Sequence, residues 1–402
     1  MSAPLLSRPV TRRAVLVGGS LAGFAAFLAA CGTSGTSNSP SEPSGTTGPT
    51  PTAAPPTPKP TPSAELNFAN WPLYIDTDDN DSTKHKTLED FTAEYGTVVK
   101  YSEVVNDNDE FFGTIKAPLQ ATQDTGWDLI VLTDWMAGRL VRLGWLEKLD
   151  LGNVPNYVNN LEDGFKAPSW DPTNEYHAPW QAGMTGLGFD SAVTGDLTSV
   201  NAFWDAKWKG KLTYLTEMRD TVGFALIKLG YSRQTFTLDQ FDQAIAELQK
   251  AVDAKLVRAF TGNEYAESLV SGDVVVAMAW SGDIIQKQAD KATLVFRIPD
   301  EGGNLWYDNM LIPKGAAHKY TAELMIDFVY RPTIAAQIEA WVNYICPVKG
   351  AQAELAKIDA DLAASELIFP TATMYAKVSG FRATTEDEDK HMNDAFAALM
   401  GS

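Results

Sequence analysis

The chain has 402 residues, with 32 Lys+Arg against 51 Asp+Glu for a formal net charge of −19, and 45% of it is hydrophobic. That balance excludes a disordered chain and leaves room for two lobes around a large core. Residues 1–64 carry +3 and the rest −22, so the body lacks the clustered basic side chains of a nucleic-acid binder and is better matched to cations.

Residues 1–30 read as a signal peptide. Arg8, Arg12 and Arg13 form a basic stretch ahead of an apolar run at 14–30. The run closes in Leu28-Ala29-Ala30-Cys31-Gly32, which resembles a bacterial lipobox, where Cys31 is lipidated and becomes the new N-terminus. The alternative is a transmembrane helix, but seventeen residues with three glycines fall short of a span of about 20. Thr11-Arg12-Arg13-Ala14-Val15-Leu16 also resembles a twin-arginine export motif, although ordinary secretory signals contain arginine pairs too. Residues 31–64 then read as a disordered tether. Nine of the 33 residues from 32 to 64 are Pro and most others are Ser, Thr or Gly, so the segment cannot build a core. Cys346 is left without a disulfide partner, and packing must stabilise the fold.

From residue 65 short apolar runs alternate with helical patterns, the mark of an α/β protein. Strands are expected at 66–69, 98–103, 127–132, 185–189, 212–215, 274–280, 294–298 and 305–312. Helices are expected at 83–95, 109–120, 239–254, 264–271, 281–291, 320–330 and 333–340, with Pro332 suited to the first turn of the last.

No GxGxxG follows a strand, and GxxxxGK[ST], GxSxG and HExxH are absent. His85, His177, His318 and His391 are scattered, with no close Asp or Cys partner in sequence to suggest a metal site. No enzyme, cofactor or metal is therefore expected.

The tryptophans are the informative residues. All eleven lie beyond the tether, several at strand ends beside a carboxylate. Trp71 and Tyr74 follow the first strand, Thr133-Asp134-Trp135 the third, and Glu217 with Asp220 the strand at 212–215. Trp280 precedes Asp283 at another strand end, and Trp306 and Asp308 share a strand. Ligands of α/β sheets bind beyond the carboxyl ends of strands. Aromatic faces hold ammonium groups and methylene chains for about 0.5–2 kcal/mol per contact, and carboxylates spaced along a groove select a linear amine. Taken singly, each Trp also reads as core and each acid as a helix N-terminal residue favoured by the dipole.

At these residues the chain resembles the spermidine/putrescine-binding proteins, the solute receptors of polyamine ABC importers. The landmarks are Asn70-Trp71-x-x-Tyr74, Trp127-Asp128-Leu129-Ile130-Val131, Lys228-Leu229-Gly230-Tyr231-Ser232, Met278-x-Trp280-x-Gly282 and Glu301-Gly302-Gly303-x-x-Trp306-x-Asp308. The resemblance implies a type II periplasmic-binding-protein fold, α/β, with two lobes joined by crossover strands around a cleft. Lobe one would hold 65–182 and 309–345, lobe two 183–308 and 346–402. It implies ligand contacts by Trp71, Tyr74, Thr133, Trp135, Trp280, Trp306, Asp308 and Tyr344, with Glu217 and Asp220 holding a terminal ammonium. The acids at 217 and 220 stand in the order opposite to the one frequent in the family. Arg382 occupies a position where the family tends to carry an uncharged residue. A guanidinium there repels an amine unless it turns away or pairs with an acid such as Asp134; Asp134 and Asp283 are further acids beside the site.

The expected protein is a lipid-anchored, extracytoplasmic, monomeric receptor that delivers a polyamine to a membrane permease by binding and lobe closure. Two alternatives stay open: a receptor of the same fold for another cationic or zwitterionic solute, favoured by Arg382, and a secreted glycoside hydrolase.

Overall fold

A computed structural model describes residues 60–78 and 80–401. The signal peptide, Cys31 and nearly all of the tether lie outside the described residues. Ten strands form the sheet: β1 Glu65–Asn70, β2 Val98–Glu103, β3 Leu129–Thr133, β4 Ala178–Asp190, β5 Leu212–Leu215, β6 Val257–Thr261, β7 Val276–Trp280, β8 Leu294–Arg297, β9 Gly303–Leu311 and β10 Val378–Ser379. Their order is β2-β1-β3-β9-β4-β7-β5-β6, with β10 beside β9 and β8 beside β4. The β2-β1-β3 and β7-β5-β6 groups are parallel, whereas β9 and β4 are antiparallel to each other and to their outer neighbours.

Burial follows that order. Every residue of β3, β4 and β7 is buried, while β2 and β6 at the two ends of the order keep exposed positions. This explains why β6 went unexpected: Val-Arg-Ala-Phe-Thr is too polar to read as a buried run. In β4 the pairing with β9 slips between Pro179 and Gln181, where proline has no N–H to give the ladder. Helices follow most parallel strands. Met218–Lys228 comes after β5 and Ser281–Lys287 after β7, the latter shorter than the expected 281–291. Asp134–Leu143 and the C-terminal Glu386–Met400 were not expected. Glu386–Met400 opens with four consecutive acids that suit its N-terminus.

The fold gives three of the histidines a single acidic partner each. His177 Nδ1 lies 2.6 Å from Asp171, His318 Nδ1 3.0 Å from Asp128 and His391 Nε2 2.7 Å from Asp242. Each meets a single carboxylate, and no cluster of three metal-ligating side chains occurs among the described residues.

At the centre, register sets side-chain contacts. Gly183 of β4 stands opposite Trp306 of β9, and a Cβ there would lie 2.4 Å from the indole Cζ2. Gly183→Ala should therefore cost about 1–3 kcal/mol, read as a lower urea midpoint with altered tryptophan fluorescence. An unchanged midpoint would show that the ring has room to retreat.

Candidate functional site

Four adjacent strands, β3, β9, β4 and β7, make the floor of a cavity. In the β3–β9 ladder Thr133 faces Asp308, and the Thr133 hydroxyl donates to Asp308 Oδ1 at 2.7 Å. In the β4–β9 and β4–β7 ladders, Gly183 faces Trp306 and Thr185 faces Trp280. Residues two apart share a face of a strand, so Gly183 with Thr185 and Trp306 with Asp308 present to the same side. Trp280 ends β7, and Trp71 follows β1 directly.

Five rings build the wall in a continuous run. Trp71 meets Trp280 edge to face at 6.3 Å between centroids, and Trp280 meets Trp306 at 6.3 Å. Trp306 contacts Tyr344 at 5.6 Å, and Tyr344 contacts Tyr74 at 5.2 Å. Tyr344 comes this close because Gly282 has no side chain: a Cβ there would lie 2.3 Å from the Tyr344 ring. Each ring spends its polar atom on the wall. Trp71 Nε1 donates to the Val131 carbonyl, Trp306 Nε1 to Thr185 Oγ1 and Trp280 Nε1 to Asp220. The hydroxyls of Tyr74 and Tyr344 donate to Asp308 and Asp283. Together with Asn108, Asn263, Pro72 and Phe381, these residues line ≈ 440 Å³ of space between atoms that is partly open to solvent.

Four carboxylates line this space: Glu217, Asp220, Asp283 and Asp308, all buried. Glu217 caps the helix Met218–Lys228, accepting from the Arg219 amide at 3.2 Å and from Asn108 Nδ2 at 3.1 Å. Asp220 accepts from Trp280 Nε1 at 3.0 Å and Asn304 Nδ2 at 2.8 Å. Asp283 accepts from the hydroxyls of Tyr265 and Tyr344, each at 2.7 Å, and from Asn263 Nδ2 at 2.9 Å. Asp308 takes the hydroxyls of Thr133 and Tyr74 at 2.7 and 2.8 Å. Every one of these donors is neutral. Among the described residues, none of the four acids forms a salt bridge.

Uncompensated burial raises all four. Asp308 is pushed up to about 7, chiefly by desolvation and against its two hydroxyl donors. Desolvation lifts Glu217 well above the ordinary carboxylate range, with Asp107 adding to it. Asp220 and Asp283 are raised by the same cause, their hydrogen bonds opposing it.

Residues 86–368 match the model of a family described as bacterial extracellular solute-binding protein. The chain belongs to that family. This solute-binding protein is 29% identical over 309 residues to the spermidine/putrescine-binding periplasmic protein of Escherichia coli (strain K12), covering 76% of this chain and 83% of that one. It is also 29% identical over 299 residues to the putrescine-binding periplasmic protein SpuD of Pseudomonas aeruginosa, covering 69% and 77%. Among solved structures, the lipoprotein TpPotD of Treponema pallidum superposes with a TM-score of 0.70 at 22% identity, over 84% of this chain and all of that one. The likeness bears out the expected α/β fold of the type II periplasmic-binding-protein class. The relatives are named as binding proteins of the periplasm, and no described helix is long and apolar enough to cross a membrane.

Most side chains singled out from the sequence of this solute-binding protein meet in the cavity: Trp71, Tyr74, Thr133, Glu217, Asp220, Trp280, Asp283, Trp306, Asp308 and Tyr344. Three do not line it. Trp135 stands two residues into a helix, where strand alternation no longer applies, and its ring lies 3.5 Å beneath the Arg219 guanidinium. Asp134 is pushed up to about 7, by burial first, and is absent from the lining. Arg382 does not pair with Asp134. Its guanidinium meets Glu388 at 2.7 Å, six residues on, and covers the Phe236 ring. Asn108 and Asn263 were missed; both follow edge strands whose ends carry no tryptophan, although the same strand-end rule reaches them.

A carboxyl whose folded pKa is raised holds its proton better in the folded than in the unfolded chain. Its favourable contribution is complete below about pH 4 and is lost as pH rises through about 7. Asp308→Asn should therefore make the ligand-free protein more stable at pH 8, by on the order of 1–4 kcal/mol. Urea titrations across pH should show that gap closing towards pH 4. A gap independent of pH would mean that Asp308 is ionised throughout.

Proposed function

We propose that the protein is the extracytoplasmic substrate-binding component of an ABC importer and that it captures a linear polyamine of the putrescine/spermidine class. One observation carries this reading: the cavity offers acceptors and π-faces but no free donor from its rings or hydroxyls. The indole and phenol donors are spent on the wall, the Thr133 hydroxyl on Asp308, and Asn108 Nδ2 on Thr133 and Glu217. Carboxylate lone pairs remain, together with a buried, unpartnered Asn263 Oδ1. An alkylammonium matches such a lining, since it brings three donors and no acceptor, and its methylenes pack between rings. Sugar hydroxyls bring an acceptor with every donor, which counts against a glycoside hydrolase. Arg382, the feature that favoured a zwitterion, is engaged by Glu388 outside the cavity.

The names of the two relatives, for spermidine and putrescine, support the ligand class. The residues proposed to bind it are the ten brought together in the cavity, with Asn108 and Asn263 added. The protein acts by binding and closure of two lobes, 65–182 with 309–345 and 183–308 with 346–402, without bond-making. Hydrogen bonds from Tyr74 to Asp308, Asn108 to Glu217 and Tyr344 to Asp283 cross that division. A cation held by these acids, all of the second lobe, meets the Trp71, Tyr74 and Tyr344 rings of the first only when the lobes close, and that added contact is what a ligand must supply to favour closure. The chain acts as a monomer, anchored through lipid on Cys31 after export, and hands its cargo to a membrane permease. The secretory or twin-arginine signal of residues 1–30 supplies the export.

Isothermal titration against putrescine, cadaverine, spermidine and spermine should show binding of at least one, and silence towards all four would sink the reading. Asp308→Ala, or Glu217→Ala with Asp220→Ala, should weaken the amine tenfold or more through loss of about 1.4 kcal/mol of charge-assisted contact. Unchanged affinity would move the site elsewhere. Because the cation binds the ionised Asp308, affinity in the parent should also fall as pH drops from 8 to 6.

A further inference from the structure

Behind the amine cavity lies a second one of opposite character. Arg219, Arg233 and Arg382 line it with Leu226, Phe236 and Met392, around ≈ 320 Å³ of space between atoms that is partly open to solvent. Phe381 borders both cavities. In a chain of net charge −19, three guanidiniums on one space call for a partner.

The protein supplies only part of one. Asp389 is shared between Arg219, at 2.8 Å, and Arg142, at 3.2 Å, and Glu388 pairs with Arg382. Arg233 donates to the Gly303 carbonyl and, at 3.0 Å, to Asn304 Oδ1, with no carboxylate paired to it among the described residues. Four guanidiniums thus form salt bridges with two acids, while Glu217 and Asp220 act on Arg219 and Arg233 from the amine cavity without pairing with them. The Arg219 side chain is 5% exposed, and neither its Nε nor its Nη1 has a hydrogen-bond partner. Arg382 Nε is likewise buried and unpartnered. Buried charged donors in that state are costly unless something accepts from them.

We propose that this cavity binds one small monovalent anion, chloride being the simplest, and that the bound anion strengthens amine binding next door. The N–H groups supply the attraction. The Leu226, Phe236 and Met392 walls favour a weakly hydrated monovalent ion over sulfate or phosphate, whose second charge is harder to strip of water. The linkage runs through named contacts. Arg233 reaches Asp220 by way of Asn304, whose Nδ2 donates to Asp220 Oδ1 at 2.8 Å. Arg219 follows Glu217 by two residues and draws its pKa down. An anion that takes up these positive charges leaves Glu217 and Asp220 with more of their field for an ammonium. By reciprocity, the amine tightens the anion equally.

The coupling rests on the polyamine reading, whereas the anion site stands without it. Crystals of the protein grown in sodium bromide should give one anomalous peak between the three arginines, lost in Arg382→Gln. An ordered water there, with no bromide, overturns the site. Amine titrations in sodium chloride and in sodium gluconate at equal ionic strength should differ about fivefold, tighter in chloride, with the ratio collapsing in Arg382→Gln. Equal affinities in the two salts overturn the linkage and leave the polyamine reading intact. Failure of every amine in both salts overturns that reading, and the bromide peak still decides the anion site.

Discussion

Buried negative charge answered only by neutral donors is the constraint on which this molecule is organised. A carboxylate removed from water loses solvation that hydroxyl and amide donors restore only in part. Glu217, Asp220, Asp283 and Asp308 each take two or three such donors and no cation. The site without its guest therefore holds protons that an exposed acid would release. A cation from outside completes the charge balance, and the helix termini at Met218–Lys228 and Ser281–Lys287 keep the anions tolerable until then.

Wall and charge form one network. Three of the five rings are oriented by hydrogen bonds to the acids that would receive the guest: Trp280 by Asp220, Tyr344 by Asp283 and Tyr74 by Asp308. Removing an acid thus loosens a ring as well as deleting a charge. The two effects are separable only by comparing isosteric and truncating substitutions at the same position. The same economy explains Trp135. Instead of facing a guest it lies against Arg219 and keeps that cation out of the cavity lining.

Much of the cavity was legible because it obeys a rule about position and not about identity: polar and aromatic residues at the carboxyl ends of buried strands. Trp71, Glu217, Asp220 and Trp280 follow from that alone. Tyr344 lies in no strand, and only the family resemblance reached it. The ladder that sets Thr133 against Asp308 joins residues 175 apart, and no local pattern encodes such a pairing. Arg382 was expected to turn away or to pair with an acid, but which acid was hidden for a related reason. Its partner Glu388 lies in the first turn of a helix whose acidic opening reads as a solvated face. Asn108 and Asn263 follow edge strands, one of them too polar to register as a strand, and no tryptophan marks the end of either.

The close approach of Trp306 to Gly183 and of Tyr344 to Gly282 means that two residues contributing no atom to the lining govern where its rings stand. Cavity width is therefore a property of the layer behind the contacts. A methyl group added at either glycine would displace a ring while every residue touching the guest kept its identity. Two family members could then share a full set of contact residues and still accept guests of different girth. Inheritance of ligand preference within the family has to be traced through such empty positions as well as through the side chains that touch the solute.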